Sequence, residues 1–216
     1  MKTPDVGFLF DLDGVIIDSE SEYSRIWRQI NLEFPTGVEN LENVIKGYTL
    51  TKILNEYYGE KSIQERVCNQ LHMLENQMHY EYLPNAREFL ETLKARGISC
   101  ALVTSSDDEK MEHLYDEIPE IPDFFDFIVT GNLVKTSKPS PEGYLLGASK
   151  IGKKIRNCVI FEDSLQGVMA GKNADALVVG MVGTLSQDIL EPFSDLLVSN
   201  FGEVNIEGLI QILEER

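Results

Sequence analysis

The residues of this chain best suited to chemistry begin with two carboxylates set two positions apart at the end of an apolar run, Phe10-Asp11-Leu12-Asp13-Gly14. Carboxylates that close repel each other unless a cation or a proton is shared between them. Such a pair suits a metal site in which one carboxylate attacks and the other moves protons. The same acid–x–acid–Gly pattern also makes turns after strands, so its meaning depends on what else the chain carries. Val103-Thr104-Ser105-Ser106 ends a second apolar run in hydroxyls, which either cap a helix or donate hydrogen bonds to a phosphoryl oxygen. Ser137-Lys138-Pro139-Ser140-Pro141 sets a lysine in a loop whose backbone two prolines restrict. Phe161-Glu162-Asp163-Ser164 places two more acids at the end of a further apolar run. Oxygen ligands from two strand ends are what Mg²⁺ accepts while keeping waters and a substrate oxygen. Helix capping by Asp163 or Ser164 is the plainer use of that segment.

The elements that must position these residues follow from alternating periods. Short apolar runs at 6–10, 98–104, 125–130 and 158–161 read as buried parallel strands, with weaker candidates at 176–182 and 196–198. Between them lie helical patterns: Ala86, Phe89, Leu90 and Leu93 with Gly97 after them, then Met111, Leu114 and Tyr115, then Leu145, Ala148 and Ile151 after Pro141. Strand–helix repetition predicts an α/β, Rossmann-like parallel sheet with helices on both faces. Open sheets of that kind bind ligands beyond the carboxyl ends of their strands, where the acids fall.

From about 18 to 81 the alternation stops. Three helical stripes occupy the interval: Tyr23, Ile26, Trp27 and Ile30; Leu50, Ile53, Leu54 and Tyr57; Ile63, Val67, Leu71, Leu74 and Met78. A block that long is not a crossover loop. It predicts an all-helical insert, residues 18–81, in a core formed by 1–17 and 82–216.

Composition excludes some partners. The formal charge of −17 argues against nucleic acid, which needs a cationic face, while one lysine and a divalent metal can still reverse the field inside a pocket. No run of 18 apolar residues exists, so no membrane span is expected. The first residues lead straight into an apolar run without a signal-peptide cleavage site. Cys68, Cys100 and Cys158, odd in number and widely spaced, read as buried thiols in a reducing cytoplasm. His72, His79 and His113 are isolated and read as surface or helix-face residues, and Trp27 as packing.

Taken together, the order Asp-x-Asp, Thr/Ser, Lys, Glu-Asp is the four-motif order of the haloacid-dehalogenase (HAD) superfamily. Asp11-Leu12-Asp13-Gly14-Val15-Ile16-Ile17-Asp18-Ser19, Lys138-Pro139-Ser140-Pro141-Glu142-Gly143-Tyr144-Leu145 and Phe161-Glu162-Asp163-Ser164-Leu165-Gln166-Gly167-Val168 resemble its branch of β-phosphoglucomutase-like proteins and sugar-phosphate phosphatases. The resemblance spans essentially the whole chain. It implies that Asp11 is the nucleophile, forming an aspartyl-phosphate, and that Asp13 is the acid and then the base. Thr104, with Ser105 and Ser106, would bind the phosphoryl group, and Lys138 would offset its charge. Asp11, the main-chain carbonyl of Asp13, and Asp163 would hold Mg²⁺, with Glu162 either touching the metal or supporting it. The insert resembles a C1-type cap that excludes water and sets specificity, with Gly47 and Tyr48 as candidate substrate contacts. A small phosphorylated metabolite is the expected partner, and a monomer the expected state.

The activity so implied is hydrolysis of phosphomonoesters of sugars or polyols. The mutases of the branch grip a second phosphate with an arginine in the cap and a Ser-Lys-Asn after the second motif. Here those positions read Leu50, after Lys46-Gly47, and Ser106-Asp107-Asp108. An apolar residue and two acids disfavour a second phosphate, so hydrolysis is expected over intramolecular exchange. A binding protein without turnover is a third reading, opposed by the presence of Asp11, Asp13, Lys138 and Asp163. Dehalogenation is not expected, because it needs neither Asp13 nor the metal-binding acids.

Overall fold

The computed structural model describes residues 5–45 and 50–216. They form two compact units, one of residues 5–18 with 81–216 and one of residues 19–45 with 50–80. Lys46, Gly47 and Tyr48 lie outside the described residues.

In chain order the elements are β1 (Gly7–Phe10), α1 (Ser19–Glu33), α2 (Leu41–Val44), α3 (Leu50–Tyr57), α4 (Lys61–Glu75), α5 (Ala86–Ala95), β2 (Ser99–Val103) and α6 (Asp108–Glu117). Then come β3 (Phe127–Val129), α7 (Glu142–Lys150), β4 (Cys158–Glu162), α8 (Leu165–Asn173), β5 (Leu177–Met181), α9 (Gln187–Leu190), β6 (Leu196–Val198) and α10 (Ile206–Glu214). All six strands run parallel, in the order β3-β2-β1-β4-β5-β6. The chain builds outward from β1 through β2 to β3, then returns to the other side of β1 with β4. Ligand sites of doubly wound sheets form at such a reversal, here beyond the ends of β1 and β4.

The two sheet faces are chemically distinct because side chains alternate along each strand. Leu9, Ala101, Val103, Val129, Cys158 and Ile160 pack with Tyr144 and Ala148 of α7 and Ala170 of α8. The other face carries aromatic rings: Phe10 stacks on Phe161 at 5.0 Å between centroids, and both meet Phe89 of α5 and Phe201. β1, β4 and β5 are buried throughout, as parallel strands covered on both faces must be.

Several details differ from the sequence expectation. The buried face of α7 is Tyr144, Gly147 and Ala148, continuing to Ile151 beyond its end, whereas Leu145 is 42% exposed. The spacing 145, 148, 151 advances by three and drifts off the 3.6-residue period; 144, 147, 148, 151 follows it. In α3 Ile53 alone is buried, and Tyr58, just past its end, takes the place expected for Tyr57. Cys100 and Cys158 are buried, but Cys68 is only half-buried on α4. Met78 is buried but lies beyond α4. Between residues 19 and 80 the described chain holds helices and no strand. No helix among the described residues is long and apolar enough to cross a membrane.

The ring stack also ties the core to the site, since Phe10 immediately precedes Asp11. Phe10→Ala should cost about 3–5 kcal/mol, as for other fully buried rings. Urea unfolding followed by circular dichroism measures this, and a loss below about 1 kcal/mol would contradict the packing described.

Candidate active site

Asp11 continues the line of β1, its amide donating to the Phe161 carbonyl at 3.0 Å. The register pairs Phe10 with Phe161, so Asp11 stands level with Glu162 on the adjacent strand. Alternation places both on the Leu9–Ile160 face. Two carboxylates on neighbouring strands of one buried face need a cation between them. Lys138 supplies it: its Nζ lies 2.5 Å from Asp11 Oδ1, 2.6 Å from Glu162 Oε1 and 3.2 Å from the Val103 carbonyl. One ammonium therefore joins the ends of β1, β2 and β4.

Glu162 is completely buried, and its oxygens are crowded with donors. Oε1 accepts from Lys138 and from the Tyr144 hydroxyl at 2.7 Å. Oε2 accepts from the amides of Asp163 and Ser164 and from the Ser164 hydroxyl. A carboxylate so occupied has little left for a metal, so Glu162 supports the site through Lys138 and the loop after β4. Gly167 makes room for it, because a Cβ there would fall 1.8 Å from the Glu162 carboxylate. Asp163, also buried, faces the other way towards Gly14, whose φ of +73° and closeness to Asp163 Oδ2 (1.9 Å from a built Cβ) both demand glycine.

Ligand oxygens of Asp11, Glu162 and Asp163 all lie within 4.8 Å of one another. Burial pushes Asp11 up to about 7, with Glu162 and Asp13 adding to the effect and Lys138 opposing it. Burial, Glu162 and Asp11 likewise push Asp163 well above the usual carboxylate range. Burial works against the Lys138 ammonium, but Asp11 and Glu162 outweigh it and raise its pKa. One lysine is thus too little charge for this cluster, and hard oxygen donors of this kind fit a divalent cation such as Mg²⁺.

Asp13 stands apart from that cluster. Its carboxylate accepts from the Ser106 hydroxyl at 3.1 Å and from Lys110 Nζ at 2.9 and 3.1 Å. Any share it has in metal binding would fall to its main-chain carbonyl. Thr104 is buried, its amide donating to the Val129 carbonyl and its hydroxyl oxygen accepting from the Ser106 amide at 3.0 Å. Ser105 is exposed and takes no part in the hydrogen bonds that link Asp11, Asp13, Lys138 and Glu162. The structure therefore brings together Asp11, Asp13, Thr104, Ser106, Lys138, Glu162 and Asp163.

Three residues escaped the sequence reading. Tyr144 was hidden by the wrong helical phase for α7. Gly167 lies inside a helix, where nothing local announces a buried carboxylate beside it. Lys110 depends on where α6 begins: Asp107 is its N-cap, accepting from the Lys110 amide at 2.9 Å. Asp107 serves as the cap, Asp108 accepts from the Thr130 hydroxyl at 2.6 Å, and Lys110 brings a cation to Asp13. Trp27 is buried, as expected of packing, and also lines a cavity of about 280 Å³ within the helical unit, with Tyr23, Ile53 and Glu75.

Known proteins are similar to this chain in sequence and in fold. The family model of the haloacid dehalogenase-like hydrolases matches residues 8–181. The chain belongs to that family. A phosphorylated carbohydrates phosphatase of Thermotoga maritima is 33% identical over 187 residues, covering 82% of this chain and 86% of that one. Hexitol phosphatase A of Escherichia coli is 32% identical over 182 residues, covering 81% and 82%. The crystal structure of a β-phosphoglucomutase from Clostridium difficile superposes with a TM-score of 0.73 at 23% identity, covering 97% of each chain, a likeness of fold.

Metal binding should respond to pH with a definite sign. Without a metal, the folded chain holds a proton on Asp11 up to about pH 7, whereas an unfolded aspartate loses it near pH 4. The metal-free fold thus loses stability from this group as pH rises between those values. A divalent cation such as Mg²⁺ would have to displace that proton, and with Asp163 also raised its apparent affinity should fall at least about tenfold per pH unit below pH 7, with proton release on binding. Titration calorimetry in buffers of different ionisation enthalpy measures both. An affinity unchanged between about pH 5 and about pH 8 would contradict the crowding described.

Proposed function

We propose that this protein is a Mg²⁺-dependent phosphomonoesterase that hydrolyses phosphorylated carbohydrates or polyols through an aspartyl-phosphate on Asp11. The observation that carries the proposal is the Lys138 ammonium shared between Asp11 and Glu162 at the ends of β1 and β4, with Asp13 held two residues beyond. Phosphoryl transfer asks mainly for in-line positioning and charge neutralisation. Mg²⁺ held by Asp11, Asp163 and the main-chain carbonyl of Asp13 would add neutralising charge on the phosphoryl oxygens.

The residues then divide the work. The Asp11 carboxylate attacks phosphorus and the bond from phosphorus to the ester oxygen breaks; Asp13, ionised here against Lys110, takes up a proton from solvent as substrate binds and gives it to that oxygen. Asp13, now ionised, takes a proton from water as the water oxygen attacks phosphorus. The bond to Asp11 breaks and inorganic phosphate leaves. Lys138 offsets the charge on Asp11 and on the phosphoryl group throughout. The Thr104 hydroxyl, whose oxygen already accepts from an amide, keeps its own proton to donate to a phosphoryl oxygen.

The relatives named as phosphatases of phosphorylated carbohydrates and of hexitols support this substrate class. Lys110 favours a hexose-phosphate mutase, since a second anion site needs a cation, yet here that cation is bonded to Asp13.

A phosphate-release screen of sugar, polyol and nucleotide monophosphates with Mg²⁺ tests the proposal. Sugar or polyol monophosphates should be hydrolysed, and Asp11→Asn should lower turnover by several orders of magnitude. Turnover by Asp11→Asn within about tenfold of the natural chain would remove Asp11 from its role. Supplied with β-glucose 1-phosphate and a trace of the 1,6-bisphosphate, the enzyme should release inorganic phosphate faster than it forms glucose 6-phosphate. The reverse order of rates would make it a mutase.

A further inference from the structure

We propose that Lys110 is a positioning residue for Asp13, locking the proton-transferring carboxylate in register with the phosphoryl site. The inference rests on the role of Asp13 given above and adds a residue to it. Asp13 sits in an irregular loop, with 30% of its side chain exposed, so packing alone does not choose its rotamer. Lys110 bridges both of its oxygens, at 2.9 and 3.1 Å, and Ser106 holds Oδ2 at 3.1 Å. A bridged carboxylate is fixed in both tilt and direction, where one hydrogen bond would fix direction alone.

The clamp is itself anchored to the phosphate-binding segment. The Ser106 amide donates to Thr104 Oγ1, and the Ser106 carbonyl accepts from the Gly131 amide at 2.8 Å. Directly after Ser106, the Asp107 cap accepts the Lys110 amide and so sets where α6 starts and where its lysine emerges. Thr104, Ser106 and Lys110 therefore form one short rigid stretch that touches both the proposed phosphoryl site and the proposed acid. A displacement of about 1 Å in a reacting group is enough to lower a rate about a hundredfold. A surface ion pair would do none of this, but Lys110 is only 17% exposed at its side chain, too covered to be a solvated pair.

The test is a mutant cycle read on two substrates. kcat and KM are measured for an alkyl phosphate, whose leaving oxygen needs a proton, and for p-nitrophenyl phosphate, whose leaving oxygen does not. Lys110→Met and Lys110→Gln should lower kcat on the alkyl phosphate about 10- to 100-fold, with a much smaller loss on the aryl ester and KM within about threefold. Lys110→Arg should recover most of the loss, and adding Lys110→Met to Asp13→Asn should cost nothing further. Equal losses on the two substrates, a rise confined to KM, or a further loss in the Asp13→Asn background would overturn the inference. Full alkyl-phosphate activity in Asp13→Asn alone would instead remove the role of Asp13 on which it rests, and the two failures are read from different variants.

Discussion

Everything in this molecule that bears on function depends on burying Asp11, Glu162 and Asp163 together with one ammonium, Lys138. Charges taken out of water cost several kcal/mol each unless they are paired and fully hydrogen-bonded. The surroundings can be understood as the means of meeting that condition. The parallel register of β1 and β4 sets two carboxylates side by side, Lys138 joins them, and Tyr144, Ser164 and two amides complete Glu162. Gly14 and Gly167 withhold the Cβ atoms that would collide with the acids.

What the pairing leaves unbalanced is as informative as what it satisfies. Glu162 is saturated by its neighbours, while Asp11 and Asp163 remain pushed upward by burial. The carboxylate that holds the lysine and the two left for the proposed metal and phosphoryl group are thus separated by their hydrogen bonds, although all three lie close together. An enzyme that attacks with a carboxylate needs that separation: one acid to hold the lysine, and others free for metal and phosphorus.

The fold and the first layer of the site were legible in the sequence because both rest on short-range regularities. Buried parallel strands are apolar runs, and doubly wound sheets put chemistry after them, so Asp11, Thr104 and Glu162 could be placed at strand ends. Lys138 was visible through the prolines beside it. The residues that sequence did not reveal act across the fold. Tyr144 meets Glu162 eighteen positions away, and Lys110 meets Asp13 across ninety-seven. Neither pairing leaves a local mark, because it depends on helix phase and on the residue at which α6 starts. The partners of the acids at 107 and 108 were hidden for the same reason: a charge counted in sequence does not show which groups its oxygens will bond.

The account stands on a covalent bond between Asp11 and phosphorus. Borohydride reduces an acyl phosphate on aspartate to homoserine, leaving other carboxylates intact. Enzyme quenched during turnover of a sugar phosphate, reduced, and mapped by peptide mass spectrometry should carry homoserine at position 11 and nowhere else. Homoserine at another aspartate, or none while phosphate is being released, would contradict the central claim.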